Sequence, residues 1–240
     1  MRALFIFTEV KRSDDTEKKL FRQVHDTTSV NQFIKPSILF MHQHYDKTLL
    51  RRYLRQQRQQ IKPELRKEAT SQINRLLYPL IRRGKRIAAY WAIGSELSLW
   101  SFIATAQHRG AEVYLPSIAP KQRQLWFTRC PHLPRQPATA RYLILHGLKR
   151  RRKTIPQFGG PRLRARSLNT VIVPLLGIDQ QGNRLGQGGG YYDATLAALP
   201  PWHLRLTGVG FKCQLIGKIE SEKHDIRIPF FICEQGIRNF

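Results

Sequence analysis

The stretch that most constrains this chain is Gly182-Asn-Arg-Leu-Gly-Gln-Gly-Gly-Gly-Tyr-Tyr-Asp193, in which five of twelve residues are glycine. Without a Cβ the backbone can take left-handed conformations and come close to a neighbour or a ligand. The apolar run Val171–Leu176 before it reads as a strand, and Ala194–Leu199 after it as a helix. Strand, glycine loop and helix start in succession aim several backbone N–H groups, and the positive end of a helix dipole, at one point. That arrangement holds a phosphate without a dedicated side chain. Arg184 adds a fork of donors matched to phosphate oxygens, and Asp193, about one turn into the helix, offers a carboxylate to a divalent cation. The stretch reads as a nucleotide triphosphate site. The alternative is a flexible surface turn in which Asp193 only caps a helix.

Two familiar glycine loops are excluded. A P-loop needs a lysine and then a serine or threonine after its last glycine, and none follows here; a dinucleotide fingerprint needs glycine where Tyr191 stands. At 240 residues and 41% hydrophobic the chain can bury a proper core, with one domain as the prior. Cys130, Cys213 and Cys233 lie far apart without a Cys-x-x-Cys pair, which argues against a disulfide framework or a zinc site and fits a reducing compartment. No apolar run approaches the ~20 residues of a membrane span, and Met1–Val10 lacks the pattern of a signal peptide. A cytoplasmic protein is expected, as a monomer.

The net charge is +25, from 41 Lys+Arg against 16 Asp+Glu. Residues 1–40 hold seven basic and five acidic side chains, which leaves +23 on residues 41–240. Such a field attracts polyanions, whether nucleic acid, nucleotides or polycarboxylates. Residues 1–40 have mixed charge and no sustained apolar period, and read as an extension or an upstream misread start, with the working domain from Met41 to Phe240.

Asp46–Gln60 and the stretch opened by Pro63-Glu64 read as two helices forming a hairpin. Lys47 and Arg51, four apart, share a face of the first. From Arg86 the pattern alternates: strand Ile87–Trp91, helix Leu99–Arg109, strand Ala111–Leu115 and strand Leu125–Thr128. Strand, helix and strand with short connections imply a parallel crossover. Glu96 in Gly94-Ser95-Glu96 falls where ligands bind such sheets; it either accepts donors from a heterocycle or begins a helix. Residues 131–160 are irregular, with the basic run Lys149–Lys153 reading as a solvated loop. Leu168–Leu176, Leu204–Phe211 and Ile228–Cys233 complete the strands, and Asp225 is a second acid able to reach a metal at the loop.

Taken together, the loop, the basic pair and the post-strand glutamate resemble the 5-formyltetrahydrofolate cyclo-ligase family, also called methenyltetrahydrofolate synthetase, over residues 47–234. The loop matches the family's Gly-x-Arg-Leu-Gly-x-Gly-x-Gly-Tyr-Tyr-Asp at every fixed position. Lys-x-x-Leu-Arg at Lys47–Arg51, Gly210-Phe-Lys-Cys-Gln214 and His224-Asp225 add to it. The resemblance implies a three-layer α/β fold, a mainly parallel sheet flanked by helices like ribose-phosphate isomerases and CoA transferases. It implies ATP- and magnesium-dependent closure of 5-formyltetrahydrofolate to the 5,10-methenyl form. ATP would be held by Lys47, Arg51, Arg184, Leu185, Gly186, Gln187, Gly188, Gly189, Gly190, Tyr191 and Tyr192. Arg184 and Tyr192 would act in catalysis, Asp193 and Asp225 would carry Mg2+, and Trp91, Glu96, Tyr191 and Tyr192 would meet the folate. Arg184 and Asp193 are expected at a surface cleft, where their loss stops turnover without unfolding the protein. The chain departs from the family at Phe158-Gly-Gly-Pro161, where an acid commonly precedes the proline, and at Gln187, where Arg, Tyr or Met is common. Two rival readings are a basic RNA-binding protein on the same fold, without a motif to support it, and an ATP-binding regulator without catalysis.

Overall fold

Alternation along the strands sorts apolar side chains to two faces. Ile87, Val113, Leu115, Ile172 and Ile232 point to one side, and Ala88, Tyr114, Val171, Val173, Phe231 and Cys233 to the other, each set in its own buried cluster. A sheet that is apolar on both faces must be covered on both, which makes three layers. The structure, a computed structural model, describes residues 46–118, 122–133, 158, 160–197, 199–200, 203–222 and 225–240. Residues 1–40, the Lys149–Lys153 run, Gly159 and His224 lie outside the described residues.

In chain order the elements are α1 (Lys47–Gln59), α2 (Pro63–Leu76), β1 (Arg86–Ala88), α3 (Trp100–His108), β2 (Glu112–Ile118), β3 (Leu125–Arg129), β4 (Arg162–Leu163), β5 (Thr170–Pro174), β6 (Gly177–Ile178), β7 (Arg184–Leu185), α4 (Tyr191–Leu196), β8 (Arg205–Val209), β9 (Phe230–Cys233) and β10 (Gly236–Asn239). The main sheet has the order β10-β9-β8-β5-β1-β2-β3-β4. Its centre, β9, β8, β5, β1 and β2, is parallel; β10, β3 and β4 are antiparallel additions at the two sides. The expected crossover β1-α3-β2 is present, in register Ile87↔Val113. A separate antiparallel pair, β6 and β7, precedes the glycine loop.

The two N-terminal helices follow in the expected hairpin order. Asp46 caps α1, its Oδ1 accepting the Thr48 N–H at 2.7 Å. Arg66 of α2 donates back to the carbonyl of Arg58 and, at 2.8 Å, to that of Ser95. α1 packs against the turn Lys212–Gln214, while α2 packs on α3 and β9. Buried Asn74 ties α2 to α3: its Oδ1 accepts the Phe102 N–H at 2.8 Å and its Nδ2 donates to the Ser98 carbonyl at 2.9 Å. It satisfies an orphan donor at a helix start that has no cap of its own. Ile73, Leu77, Phe102 and Ile103 are buried between these layers, each such side chain contributing about 1.5–3 kcal/mol.

Several strands are shorter than the apolar runs suggest. β1 ends at Ala88, not Trp91, and β5 spans Thr170–Pro174 within Leu168–Leu176. Tyr90 and Trp91 are apolar because they wall a cavity beyond the strand ends. α4 is six residues long.

Candidate active site

The glycine loop is positioned by a carboxylate that gives no motif in the sequence. Asp179, buried at the β6–β7 turn, accepts from the backbone of Gln181 and Asn183 at 2.9 Å, from Asn183 Nδ2 at 2.8 Å and from the Ile219 N–H at 3.0 Å. Four donors on one carboxylate fix the turn, and the pair Ile178↔Arg184 then sets where the loop begins. Beyond it Gly188 and Gly190 adopt φ of 102° and 64°, where a side chain would be strained. Gly186 is required by space instead: a Cβ there would lie 2.6 Å from Arg184 Nη1. The N–H groups of Gly188 through Tyr192 donate to no protein acceptor among the described residues. Consecutive free amides of this kind suit an anion.

The loop lines a cavity of about 350 Å³ beyond the carboxyl ends of β1 and β5. Lys47, Arg51, Trp91, Glu96, Arg184–Asp193 and Asp225, the residues singled out in the sequence, all border it. Arg51 Nε donates to the Gly186 carbonyl at 3.0 Å, holding α1 to the loop. Lys47 Nζ meets Glu222 at 2.7 Å and Asp225 at 3.3 Å. Burial pulls the Lys47 pKa down, but the hydrogen bond to Glu222 and the charge of Asp225 outweigh it and leave it raised. Trp91 stands edge-on to Trp100, with ring centroids 5.6 Å apart.

Arg184 and Asp193 border the cavity, as expected, but are largely shielded from solvent. Their side chains are 6% and 15% exposed, and Arg184 Nη2 donates to both carboxylate oxygens at 2.9 and 2.8 Å. Asp193 Oδ1 also accepts the Ile226 N–H at 3.3 Å. The two form a largely buried ion pair beneath the loop, which makes the expected loss of turnover without unfolding a question of stability as well. The Arg184 guanidinium lies 5.7 Å from the centre of the Tyr192 ring. Burial raises the Tyr192 pKa, and Arg184 offsets only part of this, so the phenol stays protonated and able to donate.

Gln187, assigned to ATP in the sequence, bridges the first helix and Glu96. Its Oε1 accepts from Arg55 Nη2 at 2.9 Å and its Nε2 donates to Glu96 at 3.1 Å. Glu96 in turn accepts the Ile93 N–H at 3.0 Å through its other oxygen, and it does not begin α3, which starts at Trp100. Arg55 was missed although its signal was present: Lys47, Arg51 and Arg55 recur every four residues, one face of a helix. Glu222 was missed too, and no motif marks it.

Fold and cavity define a class: a three-layer α/β protein with a phosphate-type glycine loop at the carboxyl ends of parallel strands. Residues 43–234 match the model of the 5-formyltetrahydrofolate cyclo-ligase family, and the chain belongs to that family. It is 28% identical over 179 residues to the 5-formyltetrahydrofolate cyclo-ligase of Escherichia coli K12, across 73% of this chain and 93% of that protein. To the Haemophilus influenzae enzyme of the same name it is 29% identical over 190 residues, across 73% and 96%. Among solved structures, the 5,10-methenyltetrahydrofolate synthetase from Mycoplasma pneumoniae superposes with a TM-score of 0.60 at 18% identity, covering 79% of this chain and 99% of that one. The Aquifex aeolicus synthetase gives 0.63 at 22% identity, covering 80% and 92%. These two likenesses establish the shared fold.

Proposed function

We infer that this protein is an ATP-dependent ligase that closes 5-formyltetrahydrofolate to 5,10-methenyltetrahydrofolate, releasing ADP and phosphate. Family membership supports the reaction. The observation that carries the reading at residue level is a single cavity bordered by a loop of free amides and by an acid, Glu96, joined to that loop through Gln187. One side suits phosphates and the other a heterocycle with N–H donors.

The chemistry explains why both must meet. A formyl group on nitrogen is a poor electrophile with oxide as its leaving group. Attack of the formyl oxygen on the γ-phosphorus of ATP forms the new P–O bond and expels ADP, leaving an iminium phosphate. N10 then adds to the formyl carbon and gives up its proton, the C–O bond breaks, and phosphate leaves with that proton as the methenyl bridge forms. Such transfers depend mainly on alignment and on neutralising charge that moves. Here the amides of Gly188–Tyr192 would cradle the phosphates, with Lys47 and Arg51 adding charge from α1 and Arg184 from beneath. The protonated Tyr192 would donate to the transferring group. Glu96 would accept the pterin's N–H donors while Trp91 packs on the ring, and Tyr191 would line the folate side.

Magnesium belongs to this reading. The carboxylates lining the cavity are Glu96, Asp193, Glu222 and Asp225, oxygen donors of the kind magnesium takes, with Asp193 paired to Arg184 and Glu222 and Asp225 to Lys47. No group of three or more His, Cys, Asp or Glu suited to a metal is assembled among the described residues; magnesium here would keep several waters and share the nucleotide's phosphates. Asp193 and Asp225 would hold it, and its charge would offset that of the phosphates.

No helix among the described residues is long and apolar enough to cross a membrane. Three free cysteines support cytoplasmic placement, and a monomer is part of the same reading. The test is the absorbance of the methenyl product when the protein is mixed with 5-formyltetrahydrofolate, ATP and magnesium. Product that appears only with ATP is expected. A folded protein that binds ATP yet gives none would return the case to a non-catalytic regulator.

A further inference from the structure

The nucleotide and folate account for a handful of cations, and the chain carries far more. Their distribution is uneven. The eleven acidic residues of the body include Glu96, Asp193, Glu222 and Asp225 at the cavity and Asp179 beneath it. The opposite edge of the sheet is different. The segments that lead into β1, β2, β5 and β8 all lie at the amino ends of the parallel strands, because each strand of a parallel crossover starts on the same edge. Those segments carry Arg82, Arg83, Lys85 and Arg86, then Arg109, then Arg166, then Arg205, and every one of these residues is exposed. Glu112 is the acid in them, already shared between Arg86 at 3.2 Å and Arg129 at 3.7 Å.

The backbone fixes part of this array. Asn169, in the segment before β5, accepts the Arg86 N–H on its Oδ1 at 2.9 Å and the Arg205 N–H on its carbonyl at 3.1 Å. Arg86 and Arg205 thus flank one intervening strand, at about 10 Å from two strand spacings. The cations are nearly all arginine, whose planar fork engages phosphate oxygens in pairs where lysine offers a point charge. None of the exposed large apolar residues, Leu49, Leu65, Ile118, Ile237 and Phe240, lies in these segments. A membrane surface would use such groups for insertion; a phosphodiester backbone does not need them.

We propose that the amino edge of the sheet binds nucleic acid through its phosphate backbone, without reading sequence. The site lies at the opposite end of the strands from the catalytic cavity, so both can be occupied together. Nothing in it depends on the substrate assigned to that cavity.

The test is fluorescence anisotropy of the full-length protein with a labelled 20-nucleotide single-stranded RNA, and with a 20-base-pair DNA duplex, over a salt series. Engaging about five phosphates of the single strand gives a slope of log K against log salt of roughly −3.5, about a hundredfold loss of affinity between 50 and 200 mM salt. The triple variant Arg82→Gln, Lys85→Gln, Arg166→Gln should reduce the slope's magnitude by about two and weaken binding at least about tenfold, while ATP-dependent turnover is unchanged. A control triple of exposed residues on the helical side, Arg52→Gln, Lys62→Gln, Lys67→Gln, should keep the slope. The two probes tell a preference for single strands from general backbone binding. Absence of binding to both at 50 mM salt, equal weakening by the two triples, or the same edge dependence seen only with anionic vesicles would overturn the proposal.

Discussion

The pairing of Arg184 with Asp193 changes what their substitution should do. A guanidinium at 6% exposure whose partner is removed becomes an uncompensated buried charge, and breaking such a pair costs about 3–5 kcal/mol. Asp193→Ala is therefore expected to lose both turnover and stability, read as activity and as the urea midpoint. Replacing both partners by apolar residues of similar volume is often neutral for stability. The double variant Arg184→Met, Asp193→Leu should recover much of the midpoint and none of the turnover; activity in it would remove Arg184 from the catalytic reading. Gln187 lends itself to a finer test. In Gln187→Glu a carboxylate faces Glu96 at a distance of hydrogen-bonding contact, while Arg55 keeps an acceptor. The KM for the folate should rise about tenfold or more, since a hydrogen bond to a charged group contributes about 1.5–3 kcal/mol, with the KM for ATP changing little. Equal changes in both constants would show Gln187 to be a loop-shaping residue only.

At the scale of elements, the sequence disclosed what repeats and concealed what converges. The strand, glycine loop and helix around Arg184, and the crossover of β1 and β2, were legible because glycine content and apolar alternation are local signals. Glu96 and Asp225 were legible as residues with motif context. The ion pair of Arg184 and Asp193 was not, because the partners are nine positions apart and only the fold brings them together. Nor was Asp179, which looks like any turn acid until the four donors around it are counted in space. Strand ends were misplaced for a related reason: Tyr90 and Trp91 are apolar for the sake of the cavity, and periodicity cannot tell a cavity wall from a strand. Asp179 carries a prediction of its own. Asp179→Ala strands several buried donors, each at about 1–3 kcal/mol, and frees the register Ile178↔Arg184. Thermal unfolding is expected to drop sharply, and Asp179→Asn, which keeps two acceptor sites and removes the charge, should lie between. An unchanged melting temperature in Asp179→Ala would mean that the loop is positioned from elsewhere.

For the whole molecule, all described residues belong to one compact unit, Tyr45–Phe240, and the family match begins at residue 43. The groups assigned to ATP begin at Lys47, on a helix whose first turn is capped by Asp46. Every side chain given a role in binding or catalysis therefore lies within residues 46–225, and among the described residues the hydrogen bonds that hold them lie within 46–226. A protein starting at Met41 is expected to keep the turnover of the full chain and the same unfolding midpoint, measured side by side. The basic edge lies within the same span, so its RNA affinity should survive as well. Loss of turnover on removing residues 1–40, with the midpoint unchanged, would instead give that segment a part in the site, and the reading of it as an extension would fall.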